Sequence, residues 1–328
     1  MRKRMLWRSE NRKEMKRRLI PVVLMTALVL VLLLISCSSQ PEKKAVIGIA
    51  WRSNQNAETF QAVCQAIESA GGVPVVLDQI LSADLNYENG MLTEGKDADG
   101  CLSDEAAKLV RCNSWQDSNA ETAMDGITAV VFPGGEEISP SLYYDPKPAL
   151  STEVFSAERD VSDYLLMSYC LENDIAILAI CRGMEMLSIV SGAEMIQDIP
   201  DYLESLGLKS QSEHRIEPES PGAYPGLAFH NVIITDRDCL LFRAVGKQTI
   251  ENVPSWHHQA VRSVEGTRLK VTGITETAGI DLIEAVERPD KSFVLGLQFH
   301  PEIAVVRELD DDSLCYFEAV VAAAKHAQ

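Results

Sequence analysis

An apolar run, Ile175–Ile180, passes without a break into Cys181-Arg182-Gly183-Met184 and then into a helical pattern closed by Ser191-Gly192. A buried strand that ends in a cysteine and turns through glycine straight into a helix is the sequence form of a nucleophile elbow. The turn lifts the sulfur to the top of a sheet. The helix that starts there points its positive dipole end at the sulfur and favours the thiolate. Taken alone, the stretch serves equally well as a structural cysteine at a strand end, so a reactive role needs a partner elsewhere in the chain.

The surrounding sequence supplies the sheet. Val46–Trp51, Val73–Leu77 and Thr128–Phe132 read as buried strands, and Glu58–Ala70 as a helix with Phe60, Val63, Cys64 and Ile67 on one face. A further helix, Val161–Glu172, precedes the elbow. Strands alternating with amphipathic helices predict an α/β fold, a mostly parallel sheet with helices on both faces. Asn231–Thr235, Leu269–Ile274, Leu282–Glu287 and Phe293–Phe299 predict a C-terminal antiparallel extension, and Ser313–His326 a closing helix. Residues 82–124 are polar and rich in Asp, Asn and Gly. They predict a surface insertion with one helix, Asp104–Arg111. Leu203–Tyr224 predicts an irregular loop near a site.

The N-terminal 36 residues stand apart from this core. Lys16-Arg17-Arg18 precede an apolar run from Leu19 to Ile35, then Leu34-Ile35-Ser36-Cys37. A basic region, an apolar region and a small residue before the break describe an export signal. Leu-Ile-Ser-Cys also resembles the bacterial lipobox, in which the cysteine is acylated. The expected organisation is a lipoprotein signal over 1–36, an acylated linker over 37–44, and one hydrolase-sized domain over 45–328. Cys37 would then anchor the protein to a bacterial membrane, outside the cytoplasm; an uncleaved transmembrane anchor is the alternative. Residues 1–36 hold nine Lys/Arg against two Asp/Glu, a net of +7. In a chain of net charge −18, that leaves −25 for the rest. So acidic a domain is a poor partner for nucleic acid.

Eight cysteines are present. Cys64, Cys170 and Cys315 fall on apolar helix faces, and Cys101 and Cys112 could pair in an oxidising compartment. No CxxC or His/Cys cluster has the spacing of a zinc site, so no metal is expected. A partner for Cys181 comes from Gln298-Phe299-His300-Pro301-Glu302. His300 ends an apolar strand, and Glu302, two residues on along an extended segment, would face the same way and orient the imidazole. A surface histidine and a solvated carboxylate would each satisfy these positions singly. Cysteine first, with histidine and glutamate far downstream at a strand end, is the order expected at the carboxyl edge of a parallel sheet.

Ile180-Cys181-Arg182-Gly183-Met184, Gln298–Glu302 and Phe132-Pro133-Gly134-Gly135 together resemble the class I glutamine amidotransferase superfamily. Within it, the chain is most similar to the γ-glutamyl-γ-aminobutyrate hydrolase family. Ile138–Tyr143, Glu158-Arg159-Asp160, Gln197-Asp198-Ile199 and Ser255-Trp256-His257-His258-Gln259 fit the same family. The resemblance spans roughly 45–302 without the insertion. It implies a flavodoxin-like fold and a small γ-glutamyl substrate. It also implies attack by Cys181, proton transfer by His300, orientation by Glu302, and an oxyanion hole from the N–H groups of Gly135 and Arg182. It requires no cofactor. Gly134 and Gly135 would let the backbone approach the substrate. His257 and His258 read as pocket wall and loop support, Arg159-Asp160 as either a buried pair or a substrate clamp. Two positions depart from the pattern: Ala179 for the usual glycine, and Glu185 for the usual glutamine, which leaves the preferred substrate open. A hydrolase is expected ahead of an amidotransferase subunit, because no synthetase region is visible. A surface lipoprotein that only binds a glutamyl-like ligand is the rival reading. The sequence does not fix the oligomeric state, and a homodimer is compatible with it.

Overall fold

The computed structural model describes residues 44–113, 115–143, 154–209, 214–216 and 226–327. The export segment and Cys37 lie outside the described residues, as does most of 203–224. Among the described residues no helix is long and apolar enough to cross a membrane.

Thirteen strands are present among these residues. In chain order they are β1 (Val46–Ile49), β2 (Val73–Val76), β3 (Tyr87–Glu88), β4 (Met91–Leu92), β5 (Ala129–Phe132), β6 (Ala176–Ile180) and β7 (Glu194–Ile196). Then come β8 (Ala228–Ile234), β9 (Thr249–Ser255), β10 (Ala260–Ser263), β11 (Lys270–Thr277), β12 (Ile280–Glu287) and β13 (Val294–Leu297). The main sheet runs β2-β1-β5-β6-β13-β12-β11-β8-β9, with β10 and β7 branching from β12. The first five of these are parallel and the rest antiparallel. The parallel half has the flavodoxin order 2-1-3-4-5. This is the α/β class expected, with its antiparallel extension.

Alternation along the strands divides the core into two layers. Val130 and Phe132 of β5, with Ile177 and Ala179 of β6, face the helices Ala157–Glu172 and Arg182–Val190. Ala129, Val131, Leu178 and Ile180 face the opposite way, onto Glu58–Ser69 and Leu314–His326. Strands buried on both faces must be apolar throughout, which is why β5 and β6 show no polar residue.

Several elements differ from the sequence reading. The helix before the elbow starts at Ala157, four residues early, because the Ser156 side chain accepts the Arg159 N–H and caps it. Residues 82–124 are not merely surface. Leu92, Leu102, Ala107, Val110 and Met124 are buried against the Ala157–Glu172 helix and its neighbours, and the predicted helix runs Asp104–Asn113. Their apolar residues are too sparse to show a period. The start of the expected loop is a helix, Ile199–Ser205, capped by Asp198 with proline in its first turn. Cys101 is buried, Cys112 is exposed, and both are free thiols.

Candidate active site

Four neighbouring parallel strands deliver side chains to one carboxyl edge: Arg52 after β1, Pro133–Glu137 after β5, Cys181 after β6 and His300 after β13. The Trp256–Gln259 loop between β9 and β10 closes the far wall. Together they line a cavity of about 350 Å³ that holds Cys181, Glu185, Arg52, Glu136, His258 and His300.

Cys181 takes φ +50° and ψ −111°, a strained backbone for a residue with a side chain. Its N–H donates to Leu297 O at 2.7 Å, and its C=O accepts the Glu185 N–H at 3.1 Å, the first bond of the helix. The N–H groups of Arg182, Gly183 and Met184 therefore have no partner within the helix. Gly183 allows this turn: a Cβ there would sit 2.3 Å from the carbonyl oxygen of Phe132. Gly134 allows the pairing across the site, since its own Cβ would lie 2.9 Å from His300 Cε1 and 3.4 Å from Cys181 Cβ.

His300 Nδ1–H donates to Glu302 Oε1 at 2.7 Å, and both side chains are buried. This leaves Nε2 beside the thiol and without a hydrogen bond of good geometry among the described residues, while Sγ reaches Trp256 O at 3.9 Å. The expected reach of Glu302 is met, but not along an extended segment. Pro301 starts a helix, Pro301–Val306, with His300 at its N-cap and Glu302 in its first turn. Proline at the first helical position turns the chain at once, which periodicity could not reveal. Burial pushes the Cys181 thiol up, and His300 opposes that shift. Burial works against a charge on His300 as well, yet Glu302 and Cys181 raise it well above the usual imidazole range.

Arg182 turns its side chain away from the cavity, to Asp160 at 2.6 Å and to Asp163. Only its backbone remains toward the thiol. Arg159 is buried too: it donates to Pro133 O at 2.8 Å and Gly134 O at 3.1 Å, and pairs with Glu136 and Asp163. It therefore braces the glycine turn from behind. Gly135 has φ +149°, and a Cβ there would meet Arg159 Nη1 at 2.0 Å. Glu185 lines the cavity and accepts from Gln298 Nε2 at 2.8 Å; burial raises its pKa, and that hydrogen bond opposes the rise.

The two adjacent histidines do different work. His258 Nδ1 pairs with Asp198 at 3.0 Å and its Nε2 with Glu137. Burial disfavours its charge, but these carboxylates raise its pKa to about 10 and keep it cationic. His257 Nδ1–H donates to Gln259 O at 2.8 Å, and its Nε2 points inward, away from the reaction edge. Sequence reasoning missed Arg52 and the Glu136-Glu137 pair. Their signal was position, immediately after the first strand and after the glycine turn. Glu136 is held down to about 2: burial opposes that shift, and Arg159 and Arg52 outweigh it.

A doubly wound sheet with a cysteine elbow, a histidine at the next strand end and a carboxylate behind it defines the class I glutamine amidotransferase-like fold. The chain belongs to the Peptidase C26 family, whose model matches residues 107–302. It is therefore a hydrolase- or amidotransferase-like enzyme. It is similar to Protein NtpR of Enterococcus hirae, 30% identical over 198 residues, 60% of this chain and 76% of that protein. The γ-glutamyl-γ-aminobutyrate hydrolase of Escherichia coli O157:H7 is 27% identical over 183 residues, 56% of this chain and 66% of that protein. Among solved structures, the glutaminase domain of Trypanosoma brucei CTPS with bound acivicin aligns at a TM-score of 0.49 and 16% identity. That alignment covers 87% of this chain and 95% of the other.

Proposed function

We propose that the protein hydrolyses γ-glutamyl amides through a thioester on Cys181. The observation that carries this is the environment of His300: Glu302 on one nitrogen, Cys181 beside the other, and Cys181 and His300 both lining the cavity. His300 takes the thiol proton as sulfur bonds to the γ-carbonyl carbon. The developing oxyanion is met by the N–H groups of Gly135 and Arg182, donors commonly worth ~3 kcal/mol each in the barrier. His300 then gives its proton to the departing amine as the C–N bond breaks. Water attacks the thioester with His300 as base, releasing the γ-carboxylate and restoring the thiol.

The charge pattern supports a free amino-acid head on the substrate. Cationic Arg52 and His258 and acidic Glu185 line one cavity, which suits an α-carboxylate and an α-ammonium together. Family likeness makes γ-glutamyl-γ-aminobutyrate the first amide to test. A panel of γ-glutamyl amides given to the full-length protein should yield glutamate and free amine. A γ-glutamyl electrophile should add its mass to Cys181, and His300→Ala should slow that labelling. Labelling at an unchanged rate, or none at all, would leave a binding protein in place of an enzyme.

We further propose that Cys37 is acylated and tethers the domain at the outer face of a bacterial membrane. The basic and apolar segments followed by Leu34-Ile35-Ser36-Cys37 support this. Cys37→Ala should move the protein out of the membrane fraction; persistence there would point to an uncleaved span.

A further inference from the structure

Behind the Trp256–Gln259 loop, four buried side chains from four separate segments converge: His214, His230 on β8, His257 and Glu284 on β12. Each offers one ligand atom, and these atoms lie within 4.8 Å of one another. His214 Nδ1 is 3.2 Å from His257 Nε2 and 3.3 Å from Glu284 Oε1. His257 Nε2 is 3.6 Å from the same oxygen, and His230 Nε2 is 3.7 Å from Oε2.

The outer nitrogens each have a hydrogen-bond acceptor. His257 Nδ1 faces the Gln259 carbonyl at 2.8 Å, so it carries a hydrogen and donates. Thr275 Oγ1 gives its single hydrogen to Asn231 O at 2.6 Å, so it must accept from His230 Nδ1 at 3.1 Å. His214 Nε2 reaches Thr277 Oγ1 at 2.7 Å, where it can donate likewise. In its neutral form each ring therefore presents a lone pair inward. Two of those lone pairs face each other at 3.2 Å, and three nitrogens surround a carboxylate. Neither oxygen of Glu284 has a hydrogen bond of good geometry among the described residues, although His214 Nδ1 and His257 Nε2 stand 3.3 and 3.6 Å from Oε1, and His230 Nε2 has no partner among them. A fully buried carboxylate left in that state is strongly unfavourable.

We propose that His214, His230, His257 and Glu284 hold one Zn²⁺ ion in a closed structural site. A tetrahedral zinc with bonds of about 2.0–2.1 Å sets its ligand atoms roughly 3.4 Å apart. The separations among His214 Nδ1, His257 Nε2 and Glu284 Oε1 are close to that, His230 Nε2 lies 3.7 Å from the other Glu284 oxygen, and all four ligand atoms fall within 4.8 Å of one another. Three imidazoles with one carboxylate suit zinc, and each ring's other nitrogen already has the outer hydrogen bond that orients a ligand. All four residues are buried, so no coordination position opens to substrate. The ion would instead fasten the 214–216 segment and the pocket loop to β8 and β12. The backbone prepares this, since the His257 N–H and Ser255 Oγ both donate to His214 O at 3.0 Å.

The test uses the full-length protein, stripped with a chelator and then given Zn²⁺, with metal counted by mass spectrometry after gel filtration. The expected result is close to one zinc per chain and a melting temperature about 5 °C or more above the stripped protein. Co²⁺ in its place should give the visible bands of a tetrahedral ion. Glu284→Gln and His230→Gln should each weaken zinc by ~10²-fold or more, while Cys181→Ala retains it. Wild-type protein that takes up no zinc and melts at an unchanged temperature would overturn the site and leave a proton-sharing network. Zinc lost in Cys181→Ala but kept in the other two variants would overturn it equally, by moving the ion to the nucleophile. The wild-type measurements decide the matter even if a variant fails to fold.

Discussion

Two buried histidine–carboxylate groups lie on either side of one loop, and they are wired in opposite senses. In the first, Glu302 accepts from His300 Nδ1 at 2.7 Å, and the remaining nitrogen is turned toward Cys181 at an open cavity. In the second, the outer nitrogens of His214, His230 and His257 are tied to threonines and a carbonyl, and the inner ones are turned toward Glu284 in a closed interior. The same residue types thus serve a moving proton in one place and, under the proposal above, a fixed ion in the other. What separates them is access. The nucleophile's group sits at the carboxyl edge of the parallel strands, where the cavity opens. The second group is buried behind the pocket loop, with His230 and Glu284 on antiparallel strands and His257 on the loop itself. His257 and His258 are chain neighbours that fall on opposite sides of this division.

The sharpest way to break the comparison is Cys181→Ala. It should lower turnover of a γ-glutamyl amide by roughly 10⁴-fold or more while leaving zinc content and melting temperature unchanged. A parallel loss of zinc would merge the two groups into one. Next in size, Glu302→Gln should cost roughly 10²- to 10⁴-fold in turnover, because the imidazole loses its orienting acceptor. The carboxylate also raises the His300 pKa, so the variant should lower it. The pH dependence of Cys181 alkylation reads this, and a midpoint that stays in place would show that Glu302 does not act through His300.

His258 gives a smaller effect with a definite sign. Its folded pKa of about 10 lies above the ordinary 6.5. Its contribution to stability is therefore complete below pH ~6.5 and disappears as pH rises through about 10. Wild-type protein should lose stability on the order of a few kcal/mol across that window, and His258→Gln should flatten the loss. Equal slopes in thermal melts would show that the Asp198–His258–Glu137 bridge is not charged. Smallest of all, Glu185→Gln should shift the preference between γ-glutamyl amides with and without an α-ammonium by up to about tenfold, chiefly in KM. No change in that ratio would remove Glu185 from substrate recognition.

Much of the first group was legible because its chemistry is local. Strand, cysteine and glycine follow one another in the elbow, and histidine, proline and glutamate follow one another after β13. Buried strands with no polar residue announced themselves the same way. Less legible were the antiparallel strands β7, β9 and β10, whose burial depends on which neighbour covers them. The insertion was misread for a related reason: Leu92, Leu102 and Val110 are buried without forming a periodic face. Arg52 and Glu136 stood at informative positions, but only the sheet order makes the two ends neighbours.

The sequence by itself determined the α/β rhythm, the elbow at Cys181 and its partners His300 and Glu302, because each is written in contiguous residues with a local conformational cause. Only the tertiary structure decided that Glu302 reaches His300 from a helix, that Arg182 points inward, and that His214, His230, His257 and Glu284 meet. Those four positions share no spacing. In the order β12-β11-β8-β9 two hairpins of consecutive strands meet through the β11-β8 pairing, and a long-range pairing of that kind leaves no trace in the sequence on either side.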